Sequence, residues 1–136
     1  MTKIKLGINT GFATNRFPEP EVWSRIIGEV LGLRYVQFVA DLLNPWLPWT
    51  ILKEEIKKIK QSCKRYNVVI DTTFLSAFTR VNHMLHPNPK IRKIWFEWLK
   101  RFFSVSRELG ARKSRGSHLV GNMCVSYFGS VSPGED

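Results

Sequence analysis

The sequence predicts an α/β fold with parallel strands, the first half of a (β/α) barrel running β1-α1-β2-α2-β3-α3-β4. Three observations carry this reading. Short segments with strand character recur at intervals of about 30 residues, the size of a βαβ unit. Each interval contains a stretch of helical periodicity. A Gly or Asn suited to closing a helix stands before each following strand, at Gly32, Asn67 and Gly110. Strands alternating with amphipathic helices imply parallel pairing through right-handed crossovers.

The elements follow in order. Ile4-Lys5-Leu6-Gly7-Ile8-Asn9 alternates with period two and reads as the first strand. After the turn-rich stretch from Thr10 to Arg16, Pro18-Glu19-Pro20-Glu21 places acids and prolines where a helix begins. Val22, Trp23, Ile26, Ile27, Val30 and Leu31 then recur at helical spacing, with Gly32 as the closing residue. Tyr35-Val36-Gln37-Phe38-Val39 is β-branched and aromatic, a second strand. Pro45 and Pro48 mark a loop, and Thr50 is the expected N-cap of a second helix whose apolar stripe is Leu52, Ile56, Ile59, Cys63 and Tyr66.

Val68-Val69-Ile70 is a short apolar run of the kind a doubly covered parallel strand shows. A long connection is expected from Asp71 to Pro89, and connections of that length in compact domains are usually functional or carry short structure. A third helix spans about Lys90 to Leu109, with Ile91, Trp95, Trp98, Phe102, Val105 and Leu109 on one stripe. The fourth strand is expected between Ala111 and Leu119, although Lys113 and Arg115 suit a buried strand poorly. An open dinucleotide-binding sheet would need G-x-G-x-x-G after its first strand, and Gly7-Ile8-Asn9-Thr10-Gly11 lacks it. Gly116-Ser117-His118-Leu119-Val120-Gly121 leads into Asn122-Met123 and so is no P-loop. A barrel is favoured over an open sheet.

Composition narrows the class further. The 136 residues suffice for one domain, read as a single partial barrel over residues 1–136 lacking strands five to eight. Apolar residues make up 43% and charged residues 24%, an ordinary globular balance with no run long enough to span a membrane. The N-terminus has no signal-peptide pattern. Two cysteines, Cys63 and Cys124, form no metal or disulfide spacing, and a cytoplasmic location is expected. The formal charge of +10 raises nucleic acid as a partner. However, Lys53, Lys57, Lys58, Lys60, Lys64 and Arg65 alternate with core positions on one helix, and Lys90, Arg92, Lys93, Lys100, Arg101 and Arg107 do so on another. Both sets read as solvated helix faces, which makes nucleic acid the lesser expectation.

Specific residues then resemble a family. Asn82-His83-Met84-Leu85-His86-Pro87-Asn88-Pro89-Lys90-Ile91-Arg92, the helix end Glu108-Leu109-Gly110-Ala111, and Gly116-Ser117-His118 are similar to the sugar phosphate isomerase/epimerases. These belong to the xylose isomerase-like barrels, which include the apurinic endonuclease branch. Gly11-Phe12-Ala13, Arg16-Phe17-Pro18-Glu19-Pro20, Trp23, Val36-Gln37-Phe38 and Asp41-Leu42-Leu43 look like the branch acting on short-chain ketose phosphates. The likeness runs over nearly the whole chain. It implies a parent of eight strands and roughly 250 residues. It also implies a divalent metal and two catalytic carboxylates supplied by strands five to eight, so this chain is expected to bind no metal itself. The loop after the expected fourth strand and the end at Asp136 suggest a truncated or split gene.

Sites in such barrels form at the C-terminal ends of the strands. That rule nominates Asn9 and Phe12 after strand one, Gln37 and Asp41 after strand two, Asp71 and Thr72 after strand three, and His118 after strand four. Isomerisation or epimerisation needs a base beside the carbonyl, an acid, and a cation for the enediolate oxygen. Asp41 and Asp71 are the candidate acid and base, although no sequence spacing pairs them. Asn9, Phe12, Gln37, Asn82, His86 and His118 are the candidate substrate contacts.

His118 is also a metal candidate, matching a zinc-binding position of the endonuclease branch. That branch carries a His where this chain has Asp71-Thr72-Thr73, which weakens a zinc-cluster reading. The blander readings are a satisfied strand-end His118, a structural His86 and an Asn82 that braces its own loop. His83 and His86, three apart, could chelate from one turn. Trp46 and Trp49 could stack on a sugar face, and Arg16 could meet a phosphate.

The resemblance implies a parent that isomerises or epimerises a small ketose or ketose phosphate through a metal-stabilised enediolate, with this chain inactive alone. The alternatives are a non-catalytic subunit completed by a partner half or a second copy through open strand edges, and a nucleic-acid binder of the endonuclease branch.

Overall fold

A computed structural model describes residues 4–75 and 85–115. Its elements are β1 (Gly7–Asn9), α1 (Pro20–Arg25), β2 (Tyr35–Val39), α2 (Trp49–Arg65), β3 (Val69–Phe74), α3 (Pro89–Glu108) and β4 (Lys113–Arg115). All four strands are parallel and lie in the order β1-β2-β3-β4, so each helix is a crossover between neighbouring strands. This is an unclosed portion of a (β/α) barrel, as the sequence predicts.

The core lies between the sheet and the helices. Ile8, Val36, Phe38 and Ile70 turn toward Trp23 and Ile27 of the first helical segment and Leu52, Ile56, Ile59 and Cys63 of α2. Trp23 meets Phe38 with ring centroids 6.0 Å apart. The expected stripe of α2 is buried along Leu52, Ile56, Ile59 and Cys63, and Cys63 behaves as a small hydrophobe whose thiol burial pushes up to about 12. In the first helix Trp23 and Ile27 are buried, but Val30 and Leu31, expected on the same stripe, are exposed where the helix widens. Asn67 (φ 56°), Gly32 (φ 62°) and Gly110 (φ 84°) all adopt the left-handed conformation expected of closing residues.

Several expectations need correction. The first strand begins at Gly7 and not Ile4, because its partner β2 begins at Tyr35; Ile4 and Leu6 are 94% and 70% exposed. The first helix does not stay α-helical to its end. From Ile26 to Val30 it widens into a π turn, with Leu31 N–H donating to the Ile26 carbonyl at 2.9 Å. Thr50 is not the cap of α2. The Pro48 carbonyl already accepts from Leu52 N–H at 2.9 Å, so Trp49 opens the helix.

β3 runs on to Phe74, which places Asp71 and Thr72 inside the strand and not in the loop after it. The cause is a bulge: Val36 pairs with Ile70, but Gln37 pairs with Thr72, leaving Asp71 as the extra residue. α3 opens one residue early, at Pro89, with the Asn88 side chain accepting from Lys90 N–H at 2.9 Å. Of the expected fourth strand, Lys113–Arg115 is described, and the rest lies outside the described residues.

Candidate functional site at the strand ends

Side-chain alternation divides the sheet into a helix-facing side and a side that faces the lumen in a complete barrel. Ile8, Val36, Phe38 and Ile70 belong to the helix-facing side, so Asn9 and Gln37 belong to the other. The bulge keeps the pattern in phase. Thr73 Oγ1 is 2.9 Å from Ser106 Oγ in α3, so Thr73 faces the helices and Thr72 joins Asn9 and Gln37. Asn9, Gln37 and Thr72 are register partners, with Lys113 next in the row. The result is a polar row across the sheet near the C-terminal ends of the strands.

Asn9 orders this row. Its Oδ1 accepts from Gly11 N–H at 2.7 Å, capping the short turn Thr10–Ala13, and its Nδ2 donates to Gln37 Oε1 at 2.8 Å. The two bonds fix both amide orientations. Gln37 Nε2 and the Thr72 hydroxyl, both half-buried, are left without a hydrogen-bond partner among the described residues. Beside the row, the fully buried Thr10 accepts the N–H of Val39 through Oγ1 at 3.0 Å. Sequence reasoning missed Thr10. Its only signal was a hydroxyl directly after a strand end.

The other candidates fall into different settings. Phe12 is half-buried and packs against the core cluster. Asp41 sits exposed in the short turn Ala40–Leu42 after β2. Asp71 has its carboxylate Oδ1 bound by the Arg112 guanidinium beside β4, while its carbonyl accepts Arg112 N–H at 3.1 Å. Among the described residues the two carboxylates share no hydrogen-bond partner. His86 Nδ1 accepts from Asn88 N–H at 3.0 Å at the entry to α3, and Arg92 Nη1 donates to its carbonyl at 2.6 Å. Arg16 is exposed. Asn82, His83 and His118 lie outside the described residues.

Sequence reasoning also missed what two arginines of α3 do. Arg92 braces the helix entry, donating through Nη1 to the Pro87 carbonyl as well as to that of His86. Arg101 donates to the Pro45 and Leu47 carbonyls at 2.7 and 2.8 Å and lies 5.3 Å over the Trp49 ring. Trp46 stacks on Trp95 with centroids 6.5 Å apart and planes at 16°, leaving Trp46 half exposed. The loop after β2 is thus pinned to α3, which holds Trp46 in place on the aromatic surface of that helix.

A divalent cation does not fit these residues. Among the described residues no three His, Cys, Asp or Glu side chains converge, and one of the two candidate carboxylates is already committed to Arg112. What the row offers is neutral hydrogen bonding suited to hydroxyl groups.

These features define the class: a partial parallel α/β barrel with a polar row near its strand ends. No family model matches the chain. It is 26% identical over 117 residues to a D-erythrulose 1-phosphate 3-epimerase of Brucella abortus (strain 2308), covering 86% of this chain and 37% of that protein. It superposes on a xylose isomerase-like protein of Rhodospirillum rubrum ATCC 11170 with a TM-score of 0.75 and 27% identity, over 82% of this chain and 38% of the other. Both findings support the family that the sequence resembles, the sugar isomerase/epimerases with a xylose isomerase-like barrel. The chain spans well under half the length of either relative. No described helix is long and apolar enough to cross a membrane.

Proposed function

We propose that this chain supplies part of the substrate wall of a sugar isomerase or epimerase acting on a small ketose or ketose phosphate. The carrying observation is the Asn9–Gln37 bond, which orients a half-buried amide donor on the lumen side of the sheet. An amide and a hydroxyl fixed in a row suit the hydroxyls of a polyol. Proton transfer at the carbon beside a carbonyl needs a base and an acid in reach of the same carbon. Asp71 is engaged by Arg112 and Asp41 stands exposed, which supports a chain that binds without turnover on its own. The relative's name makes D-erythrulose 1-phosphate the ligand to try first.

The test is titration of the isotope-labelled chain with that ligand, following the side-chain amide signals of Asn9 and Gln37. Saturable shifts at both, weakened about tenfold by Gln37→Leu as loss of a bond to a ligand hydroxyl predicts, support the reading. Unchanged amide signals at high ligand concentration refute it. Exchange of the ligand's C3 proton with solvent, catalysed by the chain alone, overturns the claim of inactivity.

A second reading, completion by another half or a second copy, draws on the sheet. Among the described residues β1 and β4 each pair along one edge, and Ile4 and Leu6 beside β1 are exposed. Light scattering coupled to size exclusion tests it, and a folded monomer at high concentration refutes it.

A further inference from the structure

A cleft of about 950 Å³ lies away from the strand ends. It runs between α2 and α3 in the helix layer, with the buried Ile56 in its floor. Lys53, Lys57, Lys60 and Lys64 form one wall, Ser104 and Arg107 the other, and Trp49 stands at one end. The four lysines follow i, i+4, i+7 and i+11 spacing and so share a helix face about 16 Å long at 1.5 Å per residue. Five cationic side chains thus face one carboxylate, that of Glu108.

A merely solvating helix face usually interleaves its charges, and α2 does so elsewhere. Glu55 pairs with Lys58 at 2.6 Å on a different side. The cleft cations are not balanced in this way. Among the described residues Lys53, Lys57, Lys64 and Arg107 have no ion-pair partner, and Lys60 donates to the Glu108 carbonyl at 3.2 Å. Holding like charges along two facing walls is unfavourable unless a counter-charge is supplied from outside. A single phosphate would neutralise one or two of these groups, whereas the row is long and regular.

We propose that this cleft binds an extended chain of phosphates, the chemistry shared by a single-stranded nucleic acid and inorganic polyphosphate. The site is separate from the strand-end row and does not depend on it. Trp49 distinguishes the two sources. It is 39% exposed, so a nucleic-acid base can lie against it, and polyphosphate has no such group.

The test uses the whole chain and a dye-labelled twelve-residue thymidine oligonucleotide, read by anisotropy over a salt series. If all five cations are engaged, the slope of log affinity against log salt is about −3.5, at about −0.7 per phosphate on a single strand. Lys57→Glu/Lys64→Glu is expected to weaken binding by about tenfold or more and to shallow the slope by about 1.4. Lys90→Glu/Lys93→Glu carries the same charge change away from the cleft and is expected to leave affinity within about twofold if binding is local. Circular dichroism establishes that both variants are folded. Equal losses in the two variants overturn the proposal, because binding then follows net charge alone; so does absence of binding at low salt. Competition by polyphosphate is expected, and its failure to displace the oligonucleotide refutes phosphate-chain recognition. A change in emission with the oligonucleotide that is lost in Trp49→Phe assigns the cleft to nucleic acid, and its absence assigns it to polyphosphate.

Discussion

Gly28 offers a sharp test of how the first helix is seated. A methyl group built there would lie 2.4 Å from the Tyr66 carbonyl oxygen and 3.1 Å from Tyr66 Cβ. The first distance falls about 1 Å short of ordinary van der Waals contact. The obstructing atom belongs to the backbone at the end of α2 and cannot rotate away. The two helices must therefore separate, at an overpacking cost of about 1–3 kcal/mol. Alanine's better helix propensity returns up to about 1 kcal/mol. Gly28→Ala should therefore lose about 1–2 kcal/mol, a fall in Tm of about 3–10 °C for a chain of this size. Thermal melts followed by circular dichroism, with urea midpoints as a check, measure the difference. A variant as stable as the parent, or more so, would show that the helices do not approach as closely as described.

Other perturbations separate the remaining contacts. Thr10→Val deletes the acceptor of the buried Val39 N–H and should cost about 1–3 kcal/mol in urea unfolding, with Thr10→Ser recovering most of it. Glu21 accepts from Tyr66 Oη at 2.6 Å, Arg65 at 2.5 Å and Ser62 at 3.0 Å, and these bonds, Tyr66's foremost, hold its carboxyl below the usual 4.5. Because the folded value is depressed, the stabilisation is complete above the unfolded value and is lost as pH falls through the folded one. Glu21→Gln should therefore flatten the acid limb of a stability–pH curve below about pH 4.5; an unchanged acid limb counts against the network. In a Cys124→Ser background, Cys63 should resist thiol reagents at pH 8 until urea unfolds the chain, and prompt labelling of the native protein would contradict its burial.

Much of this architecture was legible in the residues. The stripes led by Trp23, Leu52 and Trp98 gave the helices their buried faces, and Gly32, Asn67 and Gly110 marked where they end. Asn9 and Gln37 were also legible, as polar residues at the ends of apolar strands. Their mutual bond was not, because strand register decides it. The error at Asp71 has a specific cause. Counting by twos from Val68 and Ile70 ends the apolar pattern there, and only backbone pairing reveals an extra residue with the strand continuing beyond it. The basic side chains were read as one kind, yet Arg101 anchors a loop while Lys57 faces a cleft. Partners distant in sequence decide that difference.

The bulge has a chemical consequence as well. By taking up one residue, it lets the Asp71 carboxylate settle against Arg112 while Thr72 occupies the place beside Gln37. The lumen row formed by Asn9, Gln37 and Thr72 is consequently amide, amide and hydroxyl. Such side chains offer hydrogen bonds without a formal charge, which is the kind of wall the proposed polyol ligand requires. Were Asp71 itself paired with Gln37, strict alternation would turn Thr72 toward the helices and Thr73 into the lumen, so the character of this wall hangs on a single extra peptide unit.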